Sequence, residues 1–459
     1  MPFLNRESEL ATLGRWWDEH DRGTIGLVWG RRRVGKTRLV QRFAENRRVV
    51  FHTAAGRPLE GELAMLSRAA APIVGGGLRD LGARPFTDWE DALETLAGAA
   101  ESEPLLLVLD EFPELIDVAP ELENRLRAFW DRARTQTRLR ILLLGSAVRT
   151  MERIQLQREP LYGRIDLQLL VHPFRPHESA LMLEKMPPAE RALVWGLVGG
   201  TPLYLEWWDQ EASLEENLLR LVCTPGGQLL SAGELVLESE LEISDLSRRI
   251  LYAIAAGRTK FNEIQQVVKT DPTRMLDQLS RLRIVEKVVP VTADPRRTRM
   301  SYYRIADNLL AFWLTLVDRY RAEIERGLGS SIVSVLARDL DDHLGERFED
   351  ALRAHLRRLA GDGALGEDIV AVGPFWANRP EPVEIDAVVL AGRSRSATLV
   401  AECKWARVED AARLQRALAH KARALPRVAA ELRYAVCARE TVLNVPDGVM
   451  AITAADIFA

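Results

Sequence analysis

The sequence predicts an α/β chain. A parallel sheet covered by helices on both faces comes first, a helical segment and a basic helix-and-hairpin segment follow, and a smaller α/β unit comes last. Three observations lead there. Apolar runs at 25–30 (IGLVWG), 49–54 (VVFHTA), 105–112 (LLLVLDEF), 141–148 (ILLLGSAV) and 165–174 (IDLQLLVHPF) alternate with helical stretches, the pattern of strands buried on both faces. A glycine-rich motif stands directly after the first run, and the strand runs 383–390 (VEIDAVVL) and 398–406 (TLVAECKWA) reappear near the end. At 459 residues the chain is long enough for roughly three or four folded units. A composition 47% hydrophobic and 28% charged excludes a mostly disordered or fibrous chain.

The loop after the first strand carries the clearest chemistry. Gly30, Arg31, Arg32, Arg33, Val34, Gly35, Lys36 and Thr37 read GRRRVGKT and fit G-x-x-x-x-G-K-[ST] between a strand and an amphipathic helix. In that context the glycines let backbone N–H groups wrap phosphates, and the helix N-terminus adds positive potential. Lys36 is expected on the β- and γ-phosphates and Thr37 on Mg²⁺. Only seven of the 62 basic residues are lysine, so a lysine kept in a motif suggests a need for a compact ammonium that arginine cannot mimic. The run 105–112 ends in Asp110, suited to the Mg²⁺ shell, and Glu111, placed to polarise an attacking water. The other reading of this acidic pair is a helix cap. The expected cofactors are ATP and Mg²⁺.

Residues 175–246 carry apolar positions at helical spacing and predict a small α domain. Between 247 and 306 three short helices precede a hairpin around TADPRRT, an order that resembles a winged helix. This segment holds 13 basic against five acidic residues in a chain of net charge −4. Its third helix bears Arg274, Arg281 and Arg283, and the hairpin tip bears Arg296, Arg297 and Arg299. These are the candidate nucleic-acid contacts, which makes DNA the expected partner. Use of the same surface for packing within the chain is the alternative.

In the last unit Asp386 lies on one strand run, and Glu402 and Lys404 stand at i and i+2 of the next, on one face. Two carboxylates on adjacent strands with a lysine beside them are what metal-dependent phosphodiester hydrolysis requires. The acids hold Mg²⁺, and the lysine stabilises the attacking water and the developing charge. The divisions expected are 1–174, 175–246, 247–326 and 333–459, with 327–332 (GLGSSI) as the linker.

Other classes are disfavoured. Three cysteines without a CxxC pair and seven histidines without HExxH argue against a disulfide scaffold and a zinc cluster. The start MPFLNRESEL is too charged for a signal peptide, and no run has the ~18 to 20 apolar residues of a spanning helix. A cytoplasmic protein with no membrane partner is expected.

The motifs together resemble the bacterial and archaeal ATPases of the AAA+/STAND lineage. Phe3, Asn5, Arg6, Glu7, Glu9 and Leu10 match their N-terminal F-x-[GN]-R-E-x-E-L element, and GRRRVGKT, LVLDEF, GSAV, PLYGR and GGTPLYLE recur in their order over residues 1 to about 320. The resemblance implies an ASCE-type P-loop sheet with a helical lid, Arg6 among the nucleotide-site residues, Ser146 as the polar sensor of γ-phosphate or water, and Pro202 near the adenine. It also implies Arg164 as a finger, in cis or from a neighbouring subunit of a homo-oligomer, against the plainer reading of an exposed strand arginine. The last unit resembles the PD-(D/E)XK restriction-endonuclease-like fold and the domain of unknown function that follows such ATPases. That likeness adds Glu349 to the metal acids and Gln415 as an accessory residue. The residue before Asp386 is Ile385, where the family pattern has proline. A module of this type either cuts DNA or binds it, or a protein, without cutting, as part of an ATP-dependent switch.

Overall fold

The computed structural model describes residues 3–74, 80–239, 245–378 and 381–459, which divide into two compact units, Met1–His172 and Pro173–Ala459. The first unit is built on five strands, β1 (Thr24–Trp29), β2 (Val49–Thr53), β3 (Leu105–Asp110), β4 (Leu139–Gly145) and β5 (Leu167–Leu170), in the order β2-β3-β4-β1-β5 and all parallel. Strands β1, β3 and β4 are buried along their whole length, which explains their uninterrupted apolar runs. Helices Glu7–Asp18 and Lys36–Ala44 cover one face through Leu13, Trp16, Leu39, Val40 and Phe43. Parallel pairing brings the C-terminal ends of β1, β3 and β4 to one edge, where loops carry side chains of chemical consequence.

The second unit begins with short helices at Pro176–Ala180, Pro188–Val198, Pro202–Trp207, Leu214–Leu221 and Gln228–Ser239. Three more, Asp245–Ala255, Phe261–Val268 and Thr273–Arg281, precede the antiparallel pair β6 (Val285–Val288) and β7 (Tyr302–Ile305). The Tyr303 N–H donates to the Thr259 carbonyl at 2.8 Å, so the turn between the first two of these helices lies alongside β7 like a third short strand.

The segment 327–332, expected to be a linker, is instead the entry to a continuous 33-residue helix, Gly329–Gly361. Gly327, at φ 88°, makes the break before it. A Cβ on Gly329 would lie 1.6 Å from the Cys223 carbonyl oxygen, so the glycine serves a close backbone approach rather than flexibility.

The long helix packs on the second sheet. Its strands β8 (Ile369–Ala377), β9 (Val383–Ala391), β10 (Ser396–Cys403), β12 (Val428–Ala438) and β14 (Val449–Thr453) run in the order β14-β12-β10-β9-β8, and a separate small pair joins β11 (Val408–Asp410) to β13 (Thr441–Leu443). Phe348, Ala351, Leu352 and Leu356 of the long helix cover one face, and Leu418 of helix Ala411–Lys421 covers the other. Strands β8 and β14 escape the sequence reading. The first contains Gly373 and Pro374, which an edge strand tolerates because one side of it needs no ladder N–H, and the second is a five-residue edge.

A half-buried ionic chain ties the hairpin to this sheet. Arg304 of β7 meets Asp350 of the long helix at 2.5 Å and Glu286 at 2.7 Å, and Asp350 also takes 2.7 Å from Arg353. Burial alone would raise the Asp350 carboxyl, but Arg304, Arg353 and Arg347 win and hold it below the ordinary carboxylate range. Replacing Asp350 by Asn should therefore lower the stability of the second unit by roughly 3 to 5 kcal/mol at neutral pH, read from the midpoint of urea unfolding. Because the folded-state pKa is depressed, the difference from wild type should hold above about pH 4 and shrink as pH falls below it. A constant difference down to acid pH would remove Asp350 as the charged centre of the network.

Candidate functional site

Two clusters carry chemistry, one in each unit. In the first, β1 runs into the glycine-rich loop and helix Lys36–Ala44 starts at Lys36, with Gly35 at φ 91° as its N-cap. Lys36 is only 6% exposed, and its Nζ donates to the carbonyls of Gly30 at 2.9 Å and Arg31 at 3.0 Å. The loop is thus closed on its own ammonium, in the place where phosphate oxygens would replace carbonyls. Arg32 is exposed, Arg31 and Arg33 are half-buried, and Val34 is buried beneath the loop.

Arg6, expected among the nucleotide-site residues, bonds the glycine-rich loop itself. It is buried, and it donates to the Val34 carbonyl at 3.0 Å, the His172 carbonyl at 2.7 Å and Glu9 at 2.7 Å. It braces the loop from below.

At the ends of β3 and β4 the acids are ordered by their neighbours. The Thr37 hydroxyl donates to Asp110 Oδ2 at 2.9 Å. Asp110 is 2% exposed, and its carboxyl is pushed up, chiefly by burial and further by Glu111, against the lowering bond from Thr37. A carboxylate short of positive charge beside a hydroxyl suits a hard, oxygen-seeking cation, so Asp110 and Thr37 fit Mg²⁺. Glu111 has left-handed backbone (φ 52°, ψ 49°), an unfavourable conformation for a residue with a side chain. In it, Oε2 accepts the Ser146 hydroxyl at 2.8 Å and the Ser146 N–H at 3.3 Å. At the start of helix Phe112–Val118, Glu111 forms no side-chain capping bond, which removes the helix-cap reading of this acid.

Arg164 is neither a lone strand arginine nor extended into solvent. Its Nε and Nη2 hold Asp131 at 2.7 and 2.8 Å as a bidentate pair, and Nη1 donates to the Pro160 and Tyr162 carbonyls. Pro202 belongs to the second unit. It opens helix Pro202–Trp207 after a turn in which the Phe174 N–H donates to the Gly200 carbonyl at 2.7 Å.

The second cluster forms where β9 begins and β10 ends. Gly373 pairs with Val388 and Phe375 with Ile385, so Asp386 and Ala387 together oppose Pro374 in a bulge. The bulge re-aims Asp386, whose Oδ2 accepts the Cys403 N–H at 2.7 Å while its carbonyl accepts Arg353 at 2.7 Å. Lys404 Nζ lies 2.9 Å from Glu402 and 3.7 Å from Asp386. Lys421, at the end of helix Ala411–Lys421, reaches both Glu402 oxygens at 2.9 and 2.7 Å. The helix residue at this carboxylate is therefore Lys421, which sequence reading missed in favour of Gln415. Lysine scarcity was the signal that could have found it. Burial, then Glu402, raises the Asp386 carboxyl, and burial, then Asp386, pushes Glu349 up to about 8. The expected triad of metal acids does not close as these side chains stand. Among the described residues no three acidic, histidine or cysteine side chains converge on a cation position, and both lysines pair with Glu402.

The six expected nucleic-acid arginines, Arg274, Arg281, Arg283, Arg296, Arg297 and Arg299, are all exposed. Arg304, counted with them in the local charge, is spent inside the fold on Asp350 and Glu286.

Comparison with known proteins agrees with the first cluster. Residues 3–207 match the model of an ATPase domain predominantly from Archaea, and residues 313–415 match that of a family of archaeal and bacterial proteins of unknown function. An uncharacterized protein of Methanocaldococcus jannaschii is 27% identical over 418 residues, spanning 89% of this chain and 88% of that protein. An uncharacterized ATP-binding protein of the same organism is 47% identical over 47 residues, 10% of this chain and 78% of its own. The solved Walker-type ATPase of Pyrococcus abyssi shares the fold at TM-score 0.54 and 21% identity, covering 68% of this chain and 96% of that one. In the described residues no helix is long and apolar enough to cross a membrane. The match over residues 3–207 and the shared fold, together with the phosphate loop, support a P-loop ATPase domain in this part of the chain.

Proposed function

We propose that the first unit binds and hydrolyses ATP with Mg²⁺ and that its nucleotide state governs a nucleic-acid-binding second unit. The single observation that carries the hydrolytic part is the Glu111 carboxylate, fixed by Ser146 beside the Asp110–Thr37 pair. Lys36 exchanges its two carbonyl partners for β- and γ-phosphate oxygens, and backbone N–H groups of the loop hold the rest. Thr37 and Asp110 would hold Mg²⁺, which neutralises charge developing on the phosphates. Glu111 orients the attacking water, and its bond to Ser146 keeps the carboxylate in a defined position until a γ-phosphate is present.

The nucleic-acid part rests on the six exposed arginines along Thr273–Arg281, the connection from it to β6, and the β6–β7 turn, in the three-helix-and-hairpin arrangement of a winged helix. The C-terminal cluster is proposed to meet the phosphodiester, and the mixed sheet with Asp386, Glu402 and Lys404 supports a restriction-endonuclease-like module. With the lysines drawn off onto phosphate, Asp386, Glu402 and Glu349 are the oxygen donors a Mg²⁺ would take. A second reading, a switch that binds DNA without cutting it, is favoured by the double lysine pairing on Glu402.

Lys36→Ala should abolish ATP binding while the fold is kept, and unchanged nucleotide affinity by calorimetry would overturn the phosphate-site assignment. Glu111→Gln should keep ATP but lower turnover by roughly 10²- to 10⁴-fold, whereas wild-type turnover would remove Glu111 as the water-polarising group. Cleavage of duplex and single-stranded DNA under Mg²⁺ or Mn²⁺, abolished in both Asp386→Ala and Lys404→Ala, is the expected outcome for the nuclease reading. Bound but uncut DNA establishes the switch. Reversing Arg296, Arg297 and Arg299 to Glu should flatten the slope of log K against log salt by up to about 3, at ~0.9 for each phosphate no longer neutralised. An unchanged slope would return this surface to packing.

A further inference from the structure

Beside the candidate phosphodiester cluster lies an open pocket of about 370 Å³ lined by Tyr302, Trp376, Ala377, Asn378, Pro382, Val383 and Glu384. Tyr302 and Trp376 pack side by side at 5.3 Å between ring centroids, tilted by 50°, as one aromatic wall. Glu384 pairs directly with Trp376 across β8 and β9 and stands two residues before Asp386. That is a separation of about 7 Å along the strand.

The pocket is held in place from several directions. The β6–β7 turn is pinned to the edge strand by the Val291 N–H, which donates to the Pro374 carbonyl at 2.8 Å, and Arg395 donates to the Val291 carbonyl at 2.8 Å. Arg304, next but one to Tyr302, is locked on Asp350 and Glu286.

The lining decides what chemistry fits. Among the described residues no lysine or arginine lines the pocket and a carboxylate does, which disfavours phosphate there. Aromatic faces and acceptor or amide groups at Glu384 and Asn378 suit a flat heteroaromatic ring with polar edges. The same walls could hold an organic cation, but the exposed Arg296, Arg297 and Arg299 on the turn leading into Tyr302 repel a cation and attract a polyanion.

We propose that this pocket takes the unpaired base of a single-stranded nucleic acid, with Trp376 and Tyr302 stacking on it and the arginines of the adjoining turn on its backbone. Glu384 selects bases that present an exocyclic amine or ring N–H. The proposal rests on the nucleic-acid reading of the second unit and adds to it a preference for an unpaired base close to Asp386.

The test measures binding of the full chain to an oligodeoxycytidylate, to the same backbone with abasic residues, and to a duplex, each over a range of salt. The expected result is that abasic substitution, and Trp376→Ala, each weaken single-strand binding by about 10- to 100-fold without changing the salt slope. Trp376→Phe should recover most of that affinity and show that the alanine variant fails for want of a ring rather than of a fold. Duplex binding should be untouched by Trp376→Ala. Equal affinity for oligodeoxycytidylate and its abasic form, or a Trp376→Ala variant that binds like wild type while the arginine reversals still weaken binding, overturns the pocket and leaves the nucleic-acid reading standing. No binding to any of the three probes overturns both. Saturable binding of tetramethylammonium that Trp376→Ala abolishes, with nucleic acid unaffected, overturns the proposal in favour of a cation cage.

Discussion

The second unit depends on one half-buried carboxylate. Asp350 stands between Arg304 of the β6–β7 pair and Arg353 of its own helix, and Arg353 in turn binds the carbonyl of Asp386 at the bulge. A charge in that place is tolerated only because every side of it is paired, since desolvation of an unpaired carboxylate costs several kcal/mol. The consequence is geometric as much as energetic. The hairpin that carries the exposed arginines and the sheet that carries Asp386 share a single ionic chain, so the basic turn, the aromatic pocket and the acidic cluster keep fixed distances from one another.

The first unit is governed by a comparable constraint on one ammonium. Lys36 is buried and satisfied by carbonyls of its own loop, which keeps the loop in a phosphate-ready shape and makes nucleotide binding an exchange of partners. Arg6 supports that shape from beneath through Val34 and His172. The strained backbone of Glu111 fits the same pattern, because left-handed conformations at residues with side chains persist where the surroundings demand them, and such places are commonly functional. Arg164, bound by Asp131 on both prongs, would have to exchange that partner before it could serve any phosphate.

Much of this was legible in residues alone. The five parallel strands and the loop GRRRVGKT were readable because fully buried strands produce uninterrupted apolar runs and because phosphate binding needs glycine, lysine and threonine at fixed spacing. The three helices and hairpin expected at 247–306 were readable from turn chemistry and amphipathic spacing. Strand β8 was not, because Pro374 and Gly373 argue against a strand everywhere except at an edge, and edge position is a property of the sheet. The 33-residue helix was misread at its start for a related reason: Gly329 signals a linker locally, while the Cys223 carbonyl that requires a glycine is more than a hundred residues away.

The sequence by itself determined the α/β class, the phosphate loop, the acids at the end of β3, and the candidate group Asp386, Glu402 and Lys404, since each depends on residue type at short spacing. Tertiary structure decided the partners. It placed Ser146 on Glu111, Arg6 under Val34, Arg164 on Asp131, and Lys421 rather than Gln415 on Glu402. It also withdrew Arg304 from the surface and built the Tyr302–Trp376 pocket from strands more than seventy residues apart. Hydrogen bonds, ion pairs and ring stacking act over a few ångströms whatever the separation along the chain, so these assignments could be made only once the fold had set which residues are neighbours.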